Sequence, residues 1–243
     1  MLSLEILTTD GKARTARLTT HHGVVETPAF MVVSTLGAPR GLTPQQLREH
    51  GAQILLMNAF HLAWRPGESL VRELGGLHRF CGWDGPILTD SGGFQIFSLP
   101  GLRQITDVGA AFASPVNGEI RLFTPEAIVN LQVELGSDLI MPLDHCPPYP
   151  CDPKALEEAV ERSLRWADRS LCQFRSLAPT PGSLFGIVQG GCDRTLRLRS
   201  LEATCAMSFS GLALGGFCVG EPIEATHETL AFCVPQLPVE QPR

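Results

Sequence analysis

The segment Thr89-Asp90-Ser91-Gly92-Gly93-Phe94-Gln95 gathers a carboxylate, hydroxyls, an aromatic ring, an amide and two glycines in one stretch. The glycines let the backbone pass close to a ligand, so that N–H groups, the Asp90 carboxylate and the Phe94 ring can meet one small molecule. The same letters also describe a Gly-rich turn in which Asp90 caps the next element. Neither G-x-G-x-x-G nor the Walker ending Lys-Ser/Thr occurs here, so this is not a phosphate loop. A second carboxylate, Asp144, closes the apolar run 139–143. Burial there calls for hydrogen-bond donors, supplied either by a ligand or by an arginine. Gln189, in Phe185-Gly186-Ile187-Val188-Gln189-Gly190-Gly191, can donate to a ligand or satisfy backbone groups at a strand end. Gly215-Gly216 offers a backbone N–H at close approach or merely a tight turn, and Asn58 ends a further apolar run. His61 and His145 are acid–base candidates but also ordinary hydrogen-bonded residues. Trp64, Trp83 and Trp166 read as packing, and no Ser-His-Asp or Cys-His constellation can be assembled.

The elements that must carry these residues follow from periodicity. Residues 2–8 and 13–20, with Asp10-Gly11 between them, form a hairpin signal, and 1–27 reads as an N-terminal β cap. Beyond it, short apolar runs at 29–33, 53–58, 87–90, 138–144, 184–189 and 211–216 alternate with helical patterns. Thr43-Pro44-Gln45-Gln46 is a capping box with Pro at the first helical position, and Thr124-Pro125-Glu126 opens a helix that runs to Gly136. Asp152-Pro153 opens the longest helix, with Leu156, Ala159, Val160, Leu164 and Ala167 on one face. Strand and helix alternating this often predict an α/β fold with a parallel sheet. Polar or glycine groups at the ends of five of the six runs favour a (β/α)8 TIM-barrel type, whose strand ends converge, over a doubly wound sheet. About six βα units are visible, so the barrel is expected to be incomplete, with a seventh strand due after residue 237.

Composition bounds the class. The 243 residues are 44% hydrophobic and 18% charged, enough for one sizeable core, and no linker-like stretch divides them. The N-terminus lacks a basic segment followed by an apolar one, and no run approaches the ~18 apolar residues of a membrane span. A soluble, cytoplasmic protein is expected. The eight cysteines contain no C-x-C or C-x-x-C pair to seed a zinc site. A net charge of −6 argues against a broad basic surface for nucleic acid and leaves room only for a local basic groove.

Taken together, the segments closely resemble the tRNA-guanine transglycosylase (queuine tRNA-ribosyltransferase) family of bacterial type, over nearly the whole chain. The resemblance is carried by Val25-Glu26-Thr27-Pro28-Ala29-Phe30-Met31, Asn58 with His61-Leu62, Arg65-Pro66-Gly67, Gly75 to Phe80 and Thr89 to Gln95. Leu135-Gly136-Ser137-Asp138, Leu164-Arg165-Trp166-Ala167, Phe185 to Gly191 and Gly215-Gly216 with Val219-Gly220-Glu221-Pro222 complete it. It implies exchange of an encoded guanine at the tRNA wobble position for a 7-deazaguanine base in queuosine biosynthesis, through a covalent Asp–ribose intermediate. Asp90 would position the base and accept a proton, Phe94 would stack on it, and Ser91, Gly92 and Gly93 would line the pocket. Asp144 would read N1 and N2, Gln189 and the Gly216 backbone O6, and Asn58 would orient the nucleophile. Val219 points to preQ1, 7-aminomethyl-7-deazaguanine, over the bulkier queuine. The implied partners are tRNA with a GUN anticodon, the free bases, and a second copy in a homodimer.

The departures are that the family's attacking Asp, its Arg-rich loop and its zinc-binding Cys3His set match nothing in this sequence. The chain is therefore expected to be a C-terminally truncated piece, inactive alone, with no cofactor of its own and zinc in the absent part. Val32, Ser34, Leu36, Ala59-Phe60 and His145 also depart from the usual pattern. A non-catalytic base- or tRNA-binding partner subunit is the alternative reading.

Overall fold

The computed structural model describes residues 2–98, 102–114 and 117–243. The chain opens with three strands, β1 (Ser3–Asp10), β2 (Ala13–Thr20) and β3 (Gly23–Thr27), which form an antiparallel sheet. Gly11 takes a positive φ of 57° in the β1–β2 turn, as the Asp-Gly signal requires.

The strand and helix alternation then runs as β4 (Val32–Val33), α1 (Pro44–Glu49), β5 (Leu55–Asn58), α2 (Ala59–Trp64), α3 (Glu68–Glu73), α4 (Leu77–Cys81), β6 (Ile87–Asp90) and α5 (Gly93–Ser98). An antiparallel insertion follows, β7 (Leu102–Ile105), β8 (Ala110–Ala113) and β9 (Ile120–Phe123). The alternation resumes with α6 (Pro125–Leu135), β10 (Leu139–Ile140), α7 (Pro153–Ser176), β11 (Ser183–Leu184), β12 (Gly186–Val188), α8 (Arg194–Ala206), β13 (Leu212–Leu214) and α9 (Ile223–Cys233). Local chemistry explains the helix starts. Thr43 completes its capping box with Gln46, Thr124 accepts from the Ala127 N–H, and Asp152 accepts from Lys154 and Ala155. At its far end α6 stops where Gly136 turns left-handed, φ 78°.

The parallel strands pair in sequence order. A five-stranded sheet has the order β11-β10-β6-β5-β4, and β12 pairs with β13. The expected strand 184–189 is thus split at Phe185. Its first half pairs with β10 and its second with β13, while the Phe185 N–H reaches Ile140 O at 3.0 Å and the Gly186 N–H reaches Gly211 O at 2.9 Å. Sequential pairing is the order of a barrel rather than of a doubly wound sheet. Among the described residues the array does not close, since β4 and β13 each have a strand partner on one side only. The runs at 29–33, 138–144 and 211–216 contain shorter strands than their apolar letters suggested, and the insertion β7–β9 was not foreseen.

Alternation along the strands divides the core. Leu55, Met57 and Ile87 pack with Phe60 and Leu62 of α2 and Ile128, Leu131 and Leu135 of α6, joined by Phe112 and Phe123 of the insertion and by Trp83 and Trp166. Leu56 and Leu88 face the other way, onto a cluster with Leu18 and Val25 of the cap. Fully burying each such side chain contributes about 1.5–3 kcal/mol.

The cap is also held by a buried carboxylate. Asp138, just before β10, accepts from the His22 N–H (3.1 Å) and from the Ile87 N–H (3.0 Å), with His22 Nδ1 at 3.0 Å and His78 Nε2 at 3.2 Å. Burial alone would raise its pKa, but the bonds from His78, Ile87 and His22 outweigh it and hold the carboxyl down to about 2.

Candidate functional site

The parallel strands all present their C-terminal ends on one side, and the polar residues singled out by sequence sit at or just beyond those ends. Asn58 ends β5 beside Asp90, which ends β6, the two being paired in register. Asp144 lies beyond β10, Gln189 follows β12, and Gly215-Gly216 follow β13.

Asn58 is wholly committed. Its Oδ1 accepts from the His61 N–H at 2.9 Å, capping α2, and its Nδ2 donates to Asp90 Oδ2 at 2.9 Å and to Gln95 Oε1 at 3.1 Å. The other Asp90 oxygen, Oδ1, is buried without a hydrogen-bond partner. Burial is the main influence on Asp90. With the nearby Asp144 charge, it pushes the carboxyl up to about 7, against the opposing Gly92 backbone and Asn58 amide.

Asp144 is 7% exposed and accepts from Gln189 Nε2 at 2.5 Å. Burial pushes it up to about 6 in spite of that bond. Gln189 is oriented with its amide nitrogen on the carboxylate, leaving Oε1 buried and without a partner. The Gln189 backbone N–H donates to Ser200 Oγ of α8 at 2.9 Å.

The glycines are where they are because side chains crowd them. A Cβ on Gly93 would lie 1.7 Å from Asp144 Oδ1, one on Gly92 would lie 2.6 Å from Phe60 Cβ, and one on Gly216 would lie 2.5 Å from Gln189 Oε1. Gly92 and Gly216 also take positive φ, 90° and 72°. These distances join Gly93 to Asp144, Asp144 to Gln189 and Gln189 to Gly216 in one continuous set. Ser91 is buried with its Oγ 3.4 Å from the Gly93 N–H. Phe94, one residue into α5, keeps 44% of its surface exposed. Beside Gln189 and Gly216 opens a cavity of about 270 Å³, lined also by Pro147, Tyr149, Leu156 and Val219. Its volume is close to the lower end of small-molecule sites, about 300 Å³.

His145 and His61 stand apart from this set. Burial, then the Arg162 charge, push His145 down to about 4, and its Nδ1 lies 3.0 Å from Arg162 Nη1. Burial lowers His61 too. Trp83 and Trp166 are buried packing residues. Of metal-ligating groups, His22, His78 and Asp138 bring ligand atoms within 4.8 Å of one another, but the carboxylate is already saturated by hydrogen bonds. Among the described residues no cysteine joins such a group.

Sequence reasoning missed Arg197. This α8 residue is fully buried, donating from Nε to Gly191 O at 2.7 Å and from Nη1 to Val188 O at 2.8 Å. Arg194, Arg197 and Arg199 look alike in sequence, and only helix rotation against β12 separates the buried one from its neighbours.

An α/β protein with sequentially paired parallel strands and, at their C-terminal ends, two buried carboxylates whose pKa values burial raises is the class that fold and site define. The Queuine tRNA-ribosyltransferase family profile matches residues 9–243. Proteins named queuine tRNA-ribosyltransferase from Azotobacter vinelandii and Pseudomonas aeruginosa are each 50% identical over 242 residues, covering 100% of this chain and 64% of their own length. The one from Desulforudis audaxviator is 49% identical over 241 residues, 98% of this chain and 64% of its own length. The chain belongs to the queuine tRNA-ribosyltransferase family. It spans 64% of the length of these relatives.

Proposed function

We propose that the strand-end site binds guanine and a 7-deazaguanine base, and that the protein exchanges one for the other at the wobble position of tRNA with a GUN anticodon. The observation that carries this reading is the buried Asp144 carboxylate, held by the Gln189 amide and set near a second buried carboxylate, Asp90, whose Oδ1 has no hydrogen-bond partner. A buried acceptor left unpaired costs about 1–3 kcal/mol, so a ligand that brings N–H groups to these carboxylates gains by that order. Guanine carries adjacent N1–H and N2–H donors. Asp144, ionised, accepts both; Gln189 Nε2 keeps one proton on Asp144 and turns the other to O6, beside the Gly216 backbone. Phe94 stacks on the ring and Ser91, Gly92 and Gly93 form the wall. Asp90, with a pKa near neutrality, holds or releases a proton as the base leaves or enters. Asn58 holds Asp90 in place. The attacking carboxylate on ribose is neither Asp90 nor Asp144.

The finer features belong to the same proposal. The full fold is a (β/α)8 barrel with β1–β3 as its cap, the working unit is a homodimer in the cytoplasm, and the net charge of −6 leaves tRNA grip to a local basic surface. Val219, buried beside the cavity, narrows it near the 7-substituent and favours preQ1 over queuine.

Calorimetric titration of the intact protein with guanine, preQ1, queuine and adenine tests this, together with radiolabelled guanine exchange into tRNA. Guanine and preQ1 are expected to bind, adenine and queuine more weakly, and Asp144→Asn to lose roughly 100-fold in guanine affinity. Absence of guanine binding, or an Asp144→Asn protein that binds as before, overturns the reading. Binding without exchange would mark either a chain that lacks the attacking carboxylate or a non-catalytic partner subunit.

A further inference from the structure

Arg197 is fully buried, and among the described residues it makes no direct ion pair, although the Glu221 charge is near enough to act on it. Two of its nitrogens are spent on Gly191 O and Val188 O, the carbonyls on either side of Gln189 and Gly190. The third, Nη2, is buried without a partner. The guanidinium lies 4.3 Å from the centre of the Phe217 ring, directly after Gly216, and Nη2 would stand 3.4 Å from a Cβ on Gly216. A planar fork reaching two carbonyls while stacking on a ring is a geometry that lysine does not reproduce.

The contacts fall on two different turns. Val188 and Gly191 bracket the turn after β12, which carries Gln189; Phe217 belongs to the turn after β13, which carries Gly216. We infer that Arg197 is a positioning residue that clamps these two turns into a single reader of the base's O6 edge, and that its unpaired N–H and charge at that edge favour a carbonyl oxygen over an amino group. This rests on the proposed base site. The guanidinium itself does not touch the base; it acts through the Gln189 amide and the Gly216–Phe217 peptide. A positive charge in a dry site acts over several ångströms far more strongly than in water, so loss of the charge is felt at O6 even where the backbone holds.

The test uses the intact protein with Arg197→Gln and Arg197→Lys. In the exchange assay, Arg197→Gln is expected to raise the KM for guanine roughly 10- to 100-fold, as a misplacement near 1 Å does, with the KM for tRNA unchanged. Arg197→Lys, which keeps the charge but not the fork, should recover only part of that loss and should bind guanine over adenine more selectively than Arg197→Gln. A merely structural role would lower the folded fraction and kcat while leaving the KM for guanine in place, and that result overturns the proposal. If Arg197→Gln does not fold, Arg197→Lys carries the same comparison. If the parent protein binds no guanine, it is the site reading that fails, and the clamp is read from amide hydrogen exchange. Exchange should then quicken together at 189–191 and 215–217 in the variants, and quickening in one turn alone overturns it.

Discussion

Gly93→Ala isolates the geometry of the site in a single methyl group. Gly93 opens α5 with a backbone that alanine adopts without strain, so the substitution has no conformational penalty of its own. The new Cβ, however, would lie 1.7 Å from Asp144 Oδ1 and 2.7 Å from Cγ, where ordinary contact begins at 3.4 Å. Helix or carboxylate must therefore give way by well over an ångström. Overpacking of this kind costs about 1–3 kcal/mol. Moving Asp144 off Gln189 leaves a buried polar group unpaired, about 1–3 kcal/mol more, and the better helix propensity of alanine returns up to about 1 kcal/mol. The net expectation is a loss of about 1–6 kcal/mol, seen as a Tm lower by about 2–20 °C. Guanine affinity should fall about 100-fold or more, because the displaced carboxylate is the proposed reader of N1 and N2. Thermal unfolding and calorimetric titration measure the two effects separately. Gly93→Ala with Asp144→Ala, which removes the clashing atoms, should recover much of the Tm and none of the affinity. A Gly93→Ala protein with unchanged Tm and affinity would refute the placement of Asp144 against Gly93.

Titration supplies the remaining expectations. Asp90 is raised from 3.8 to about 7, so the native state holds its proton more firmly than the unfolded chain, and this group's contribution to stability falls as pH rises between those values. Asp90→Asn should consequently stabilise the protein at pH 8 by on the order of 2–4 kcal/mol in urea unfolding, show little gain at pH 4, and abolish exchange. Asp138 behaves oppositely. Held down to about 2, it contributes stability that is present above 3.8 and lost as pH falls through about 2. Asp138→Asn should cost on the order of 2 kcal/mol at pH 7 and converge with the parent near pH 2 in the same unfolding experiment. Guanine affinity should climb from pH 5 to pH 7 as Asp144, raised to about 6, ionises, and a calorimetric profile that stays level across that span would contradict its role as acceptor.

What the sequence made legible was the end of each strand. Asn58, Asp90 and Gln189 each close an apolar run, and a polar residue at that point has only the strand end to occupy. Asp144 closes an apolar run too, but for another reason. Met141 and Leu143 are buried outside any strand, beyond the two residues of β10, so apolar letters lengthened the expected strand. The insertion β7–β9 hid because Ala110, Ala111 and Ala113 carry little β signal and the pairing is settled by packing of Phe112 and Phe123 on Phe60. The His22, His78 and Asp138 lock joins residues 116 and 60 positions apart. A lone histidine carries no trace of such a partner, just as one arginine among three in α8 carries no trace of its burial.

At Phe185 the pairing passes from the five-stranded ladder to the two-stranded one, a seam bridged by the bonds of Phe185 to Ile140 and of Ser210 to Leu184. Asn58 and Asp90 stand on the five-stranded ladder, Gln189 and Gly216 on the edge of the two-stranded one, and the Gln189–Asp144 hydrogen bond crosses from one side to the other. A base that touches Asp90 and Gln189 together is therefore a stitch across that seam. If the proposed base binds there, part of its binding energy goes into holding the two ladders in register, so occupancy of the pocket and cohesion of the strand array become one quantity seen from two ends.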